Sequence, residues 1–155
     1  MPGNGSDLNA EQLSKAVCRR HLTFGWGMLF CFVLLGVILE TLHGFKIGWY
    51  LDVGNEVRRL MLRLSHAHGT LLAILNIAFA LSLAHFEKWP STRVEGASTA
   101  LRIASVLLPG GFFAGGLFIY DGDPGLGIIL APFGALAMVL AAYLIFRGAL
   151  SIPKS

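Results

Sequence analysis

Glu40 and His43 stand three residues apart in LETLHGFK. His66 and His68 follow in RRLMLRLSHAHGTLLAILN, just after Arg58, Arg59 and Arg63. Residues three apart share a helix face, so Glu40 and His43 can act on one point; residues two apart diverge by about 200°, which separates His66 from His68. A carboxylate with two or three imidazoles is a donor set for a transition metal. Glu-x-x-His is also half of the di-iron pattern of helix bundles, but no second motif and no further carboxylates complete it. His66, with His43 or His68, could instead ligate a haem iron while Arg58, Arg59 or Arg63 pairs with the propionates. Without a metal, the same groups could tie two helices by a Glu–His hydrogen bond. Glu40 and His43 could also serve as general acid and base on a lipid or quinone.

The elements that must position these groups follow from composition. Of 155 residues, 55% are apolar and 14% charged, and the mean hydropathy is +0.67. Soluble domains carry about 25% charged residues, so this chain cannot cover itself with polar surface and needs lipid as solvent. Four segments, 22–42, 64–86, 97–119 and 126–146, are each long enough to cross about 30 Å of hydrocarbon. The expected fold is all-α: a single integral membrane domain over 1–155, a four-helix bundle. A short amphipathic helix over about 8–20 would lie on the membrane surface. The first apolar run is too long for a signal peptide and lacks a small-residue cleavage site. Cys18 and Cys31 suggest neither a disulfide framework nor a zinc motif. The net charge of +3 follows from topology and calls for no nucleic-acid partner.

Eight of the twelve Lys and Arg residues (Lys15, Arg19, Arg20, Lys88, Arg93, Arg102, Arg147 and Lys154) fall on one side of these spans. That excess puts both termini in the cytoplasm, and a bacterial inner membrane is the expected setting. The other four, Lys46, Arg58, Arg59 and Arg63, crowd the first outer loop, which Trp49 and Tyr50 anchor at the interface. These cations either snorkel to lipid headgroups or serve a bound anionic group. His21 and His85 are expected at the cytoplasmic interface, solvated.

Helical periodicity turns His66 inward. Its stripe holds Arg59, Arg63, Gly69, Thr70, Ala73, Asn76 and Ala80, the small and polar residues that line helix contacts. The stripe through His68 holds Leu64, Leu72, Leu75 and Phe79, a leucine-rich surface that places His68 at a helix seam or near headgroups. On the first helix, Gly25, Leu29 and Gly36 continue the Glu40–His43 face. An ionisable residue within a span is a functional hypothesis by default. Glu40, His43 and His66 therefore make a polar cluster near the outer surface. In the third span Pro109 kinks the helix, and Gly110, Gly111, Gly115 and Gly116 invite close packing or make room for a flat ligand. YDGDPGLG reads as a tight outer turn, with Pro124 suited to starting the fourth helix.

RLSHAHGTLLAILN, residues 63–76, resembles a stretch of the haem–copper oxidase superfamily. Its catalytic subunits and small relatives carry an arginine shortly before a helical histidine that ligates low-spin haem. The resemblance implies that His66 is that ligand, with His43, His68 or a histidine of another copy on the second axial side. Those subunits have many more helices and a copper-binding histidine triad, which this chain lacks. The expected function is therefore binding of haem or a transition metal by His66, with His43 and Glu40 as partners, in a respiratory or redox setting. The alternatives are an accessory or structural subunit of a membrane complex or a lipid-binding bundle without cofactor, and an interfacial lipid- or quinone-modifying enzyme; the expected partners are membrane lipids and a larger membrane complex or a homo-oligomer.

Overall fold

The structure, a computed structural model, describes residues 5–52, 54, 56–85, 89 and 91–151. Phe86, Lys88 and Lys154, used above for a span boundary and for orientation, lie outside them. The elements run α1 (Gly5–Gly44), α2 (Val57–His85), α3 (Ser91–Leu117), β1 (Ile119–Tyr120), β2 (Asp123–Pro124), a 3-10 turn (Leu126–Ile129) and α4 (Leu130–Ala149). All four α-helices are long and apolar enough to cross a membrane. The protein is an integral membrane, all-α four-helix bundle.

The amphipathic N-terminal stretch is helical and passes without a break into the first span. At about 1.5 Å per residue, α1 is roughly 60 Å long, about twice the hydrocarbon thickness. Its first turns therefore continue past the apolar core. There Val17 joins the buried core and Leu13 packs against it, while Lys15, Arg19 and Arg20 are exposed.

The helices pack in chain order: α1 on α2, α2 on α3 and α3 on α4, with only a light contact of α1 with α3. The middle helices are consequently the buried ones, with 50% of the apolar window of α3 inside against 11% for α1. Leu72 and Phe79, on the stripe that carries His68, are buried, because α2 has a neighbour on two sides. The outward faces of α1 and α4, with Phe30, Leu136 and Val139, are left to lipid.

Small residues set the helix spacing. Gly134 lies so close to Leu108 that a β-carbon there would collide with the backbone of α3, and one at Gly111 would stand 2.7 Å from the Ala131 nitrogen. Across α1 and α2 the fit alternates: the Phe32 ring fills the space over Gly69, and the His66 ring fills that over Gly36. Such near approach maximises dispersion contact where no hydrophobic force joins helices.

The connections at the far end from the termini are tight. Helix α1 closes with Ile47 N–H on the Leu42 carbonyl and Lys46 N–H on the His43 carbonyl. Lys46 takes the left-handed conformation, φ 52°, at the position where glycine is usual. Between α3 and α4, Asp121 (φ 47°) and Gly122 (φ 93°) form the two-residue turn of a β-hairpin, the Asp-Gly signature of a type I′ turn. Pro124 belongs to that hairpin rather than to the start of α4.

A methyl group at Gly134 would push α3 and α4 apart, whereas one at Gly27 would meet nothing within 4 Å. Gly134→Ala is expected to destabilise the bundle by about 1–3 kcal/mol, and Gly27→Ala to be neutral or stabilising by up to about 1 kcal/mol. Thermal unfolding of both variants in one detergent checks the contrast.

Candidate functional site

Two polar constellations are built on α2, one at each end of the span. The first is a half-open pocket of about 360 Å³ at the end away from the termini, lined by Gly36, Leu39, Glu40, His43, Tyr50, Arg59, Arg63 and His66. Helix α1 brings Glu40 and His43 to one wall by their three-residue spacing. Helix α2 brings Arg59, Arg63 and His66 to the other at intervals of three and four. The floor is the glycine gap at Gly36, over which the His66 ring lies.

The pocket unites most of the residues singled out from sequence and rearranges their bonding. His66 Nδ1 lies 2.7 Å from the Phe32 carbonyl oxygen. A carbonyl only accepts, so Nδ1 carries a proton, and in the neutral form of the ring Nε2 is the nitrogen left with a lone pair. The interhelical bond of His66 thus runs to backbone; among the described residues no hydrogen bond joins Glu40, His43 and His66. Nor does any group of three His, Cys, Asp or Glu among the described residues stand close enough to hold a metal ion. His68 is elsewhere: its Nδ1 donates to the Leu64 carbonyl, and its ring lies 5.0 Å from that of Phe112 on α3. Arg58 is also outside the pocket, donating to the Trp49 carbonyl with its guanidinium 4.6 Å from the Trp49 ring centre. Arg59 pairs with Glu56. Arg63 has no ion-pair or hydrogen-bond partner among the described residues.

Tyr50 is the pocket residue that sequence reasoning placed elsewhere, as an interfacial anchor. It is 3% exposed and packs with Leu39 and Leu62, because the turn after α1 folds the loop back onto both helices. Burial holds its phenol above the ordinary value of 10.0, against an opposite pull from Arg63 and Arg59.

The second constellation lies nearer the termini and is closed to solvent. His21, Asn76, Ser98 and Ser105, from α1, α2 and α3, are all at most 2% exposed. Asn76 donates its two amide hydrogens to the Leu72 carbonyl (2.7 Å) and Ser105 Oγ (2.8 Å), and Ser105 donates onward to the Leu101 carbonyl. That leaves Asn76 Oδ1 to accept from His21 Nδ1–H at 2.6 Å. His21 Nε2, 2.8 Å from Ser98 Oγ, then accepts the serine hydroxyl. The network fixes one tautomer and leaves no polar atom of Asn76 without a partner. The expectation of a solvated His21 is thereby corrected: extending the Gly25–Gly36 face back one turn reaches His21 and back two turns reaches Val17, both buried.

The chain matches no protein-family model, no curated protein and no solved structure.

Because the folded state binds the Tyr50 proton more tightly than the unfolded chain, the stability this group contributes is whole below about pH 10. It is lost as pH rises through the raised folded value. Alkaline unfolding curves are expected to decline beyond that pH in the parent protein and to decline less in Tyr50→Phe.

Proposed function

We propose that this protein captures an amphipathic anion in the pocket between α1 and α2, on the outer side of a bacterial inner membrane, with its termini in the cytoplasm. The observation that carries this reading is the convergence of Arg59 and Arg63 with Tyr50, His43, Glu40 and His66 on one pocket. Arg63 lacks a carboxylate partner among the described residues and supplies the uncompensated charge. Arg59, held by Glu56, supplies a second, oriented guanidinium. Guanidinium forks suit carboxylate and phosphate oxygens bidentately. Deeper in the pocket, the His66 Nε2 lone pair is an acceptor for a hydroxyl or a protonated acid oxygen. A ligand with an anionic head and an adjoining hydroxyl uses both levels, and its apolar part stays in the bilayer.

A second reading is favoured by the His66 geometry. A histidine that ligates metal through one nitrogen usually donates the other N–H to a carbonyl or carboxylate, as His66 does to Phe32. In that reading His66 is an axial ligand of haem, Arg59 and Arg63 pair with its propionates, and the resemblance over residues 63–76 to the oxidase superfamily reflects a redox role. Haem would supply electron transfer; the residues of this chain would bind and orient it.

One purified sample separates the two. With dodecyl phosphate as probe, binding is expected to weaken about tenfold or more in Arg63→Gln, the loss of a charged hydrogen bond, and to change little in Arg58→Gln. Unchanged binding in Arg63→Gln overturns the anion reading. A Soret band that disappears in His66→Ala would establish haem in its place.

A further inference from the structure

We propose a second, independent lipid site: a groove between α1 and α3 that seats one acyl chain of an anionic phospholipid, with its phosphate held by Arg20 and Arg102. The groove measures about 410 Å³ and is lined by Phe24, Cys31, Val106, Gly110 and Phe113 among others. It exists because α1 packs on α2 and barely reaches α3, and because Gly110 contributes no side chain to fill the gap. Its lining shares no residue with that of the pocket described above.

The charge at its mouth names the occupant. Arg102 is one helical turn from Val106, on the groove face of α3, and its guanidinium stands 6.0 Å from the Phe24 ring centre. Arg20 is one turn from Phe24 on the facing edge of α1. Both are exposed and lie within electrostatic reach of His21. Among the described residues neither has an ion-pair partner. Arg102 sits well inside the apolar stretch Arg93–Leu117, where an unpaired cation is expensive unless it reaches an anion at the membrane surface. A long arginine side chain laid along an aromatic ring delivers its charge to headgroup level in this way. Two cations over an apolar slot between helices match a lipid phosphate over its own chain. A zwitterionic lipid presents the same phosphate but brings its own quaternary cation, so the net charge of the two arginines stays uncompensated.

The test uses the full chain in detergent, titrated with phosphatidylglycerol and, separately, phosphatidylcholine of the same acyl chains, and read by native mass spectrometry. A phosphatidylglycerol adduct is expected to weaken about fivefold on Arg102→Gln and about thirtyfold on Arg20→Gln with Arg102→Gln, at roughly a factor of five per cation. Gly110→Phe is the second variant. A β-carbon at Gly110 meets nothing within 4 Å and Gly110 lines the groove, so the added ring is expected to occupy the groove and remove the adduct while both arginines remain. Arg63→Gln, in the other pocket, should leave this adduct unchanged. Equal affinity for the two lipids, or an adduct indifferent to the arginine pair, overturns the proposal. So does an adduct that survives Gly110→Phe in a protein whose thermal unfolding matches the parent.

Discussion

Asn76 satisfies its amide only if three helices stand where they do. In water an asparagine at a helix contact competes with solvent; between helices in lipid it has only the groups its neighbours bring. Here α1 brings His21, α3 brings Ser105, and α2 itself brings the Leu72 carbonyl. Lipid tails solvate apolar side chains as well as another helix does, so packing and polar contacts must select the arrangement. Each interhelical hydrogen bond in a bilayer is worth about 0.6 kcal/mol on average, too little to hold the bundle alone. Its larger effect is specificity. A slip of α1 along α2 leaves His21, Asn76 Oδ1 and Ser98 with hidden groups that have lost their partners, and that penalty falls on every wrong register.

The register fixed there carries through to the distant pocket. Along the seam Gly25 lies against Ala73, Phe32 against Gly69, and Gly36 against His66, in that order. Gly36 is what admits the imidazole to the backbone of α1, where it reaches the Phe32 carbonyl. The pocket therefore depends on a glycine one helical turn from Glu40, and on a polar clasp further along the same seam. Helix α3 is tied in by different means. Pro109 cannot donate to the Ser105 carbonyl, and its own carbonyl accepts from the Ser65 hydroxyl of α2. The discontinuity in α3 thus becomes a point of attachment.

The membrane class and the four spans were legible because apolar length is a one-dimensional property. The inner face of α1 was legible in part: Gly25, Gly36, Glu40 and His43 follow from a three-and-four spacing. What failed depended on neighbours. His21 looked like an interfacial histidine because Arg19 and Arg20 precede it, and nothing local announces that Asn76 and Ser98 lie opposite. The stripe through Leu72 and Phe79 left His68 open between a helix seam and the headgroups, because a leucine stripe reads alike whether a tail or a helix covers it; that α2 lies between α1 and α3 is a fact of topology. Tyr50 was placed at the interface by its type, and only the turn at Lys46 shows that it folds under Arg63. The Glu40–His43–His66 convergence was seen as a set. Its bonding was not, because the best partner for His66 is a backbone carbonyl that every residue possesses.

The distribution of paired and unpaired cations sharpens the picture of the membrane around this chain. Glu11 takes Lys15, and Glu56 takes Arg59; both pairs lie within one helical turn and are exposed, so they contribute little to stability. Arg20, Arg63 and Arg102 have no carboxylate among the described residues, although Glu40 shares a pocket with Arg63. Three of the cations without a carboxylate partner thus stand beside cavities, Arg63 within one and Arg20 and Arg102 near the other, while Arg19, Lys46, Arg58, Arg93 and Arg147, equally without one among the described residues, line neither. Helix packing alone gives no reason for that coincidence, since small residues and the Asn76 clasp already account for the contacts. An anionic group brought by the bilayer or by a ligand does give one. The proposed anionic groups would compensate the charge toward both ends of the bundle and leave the apolar faces of α1 and α4 free for lipid tails.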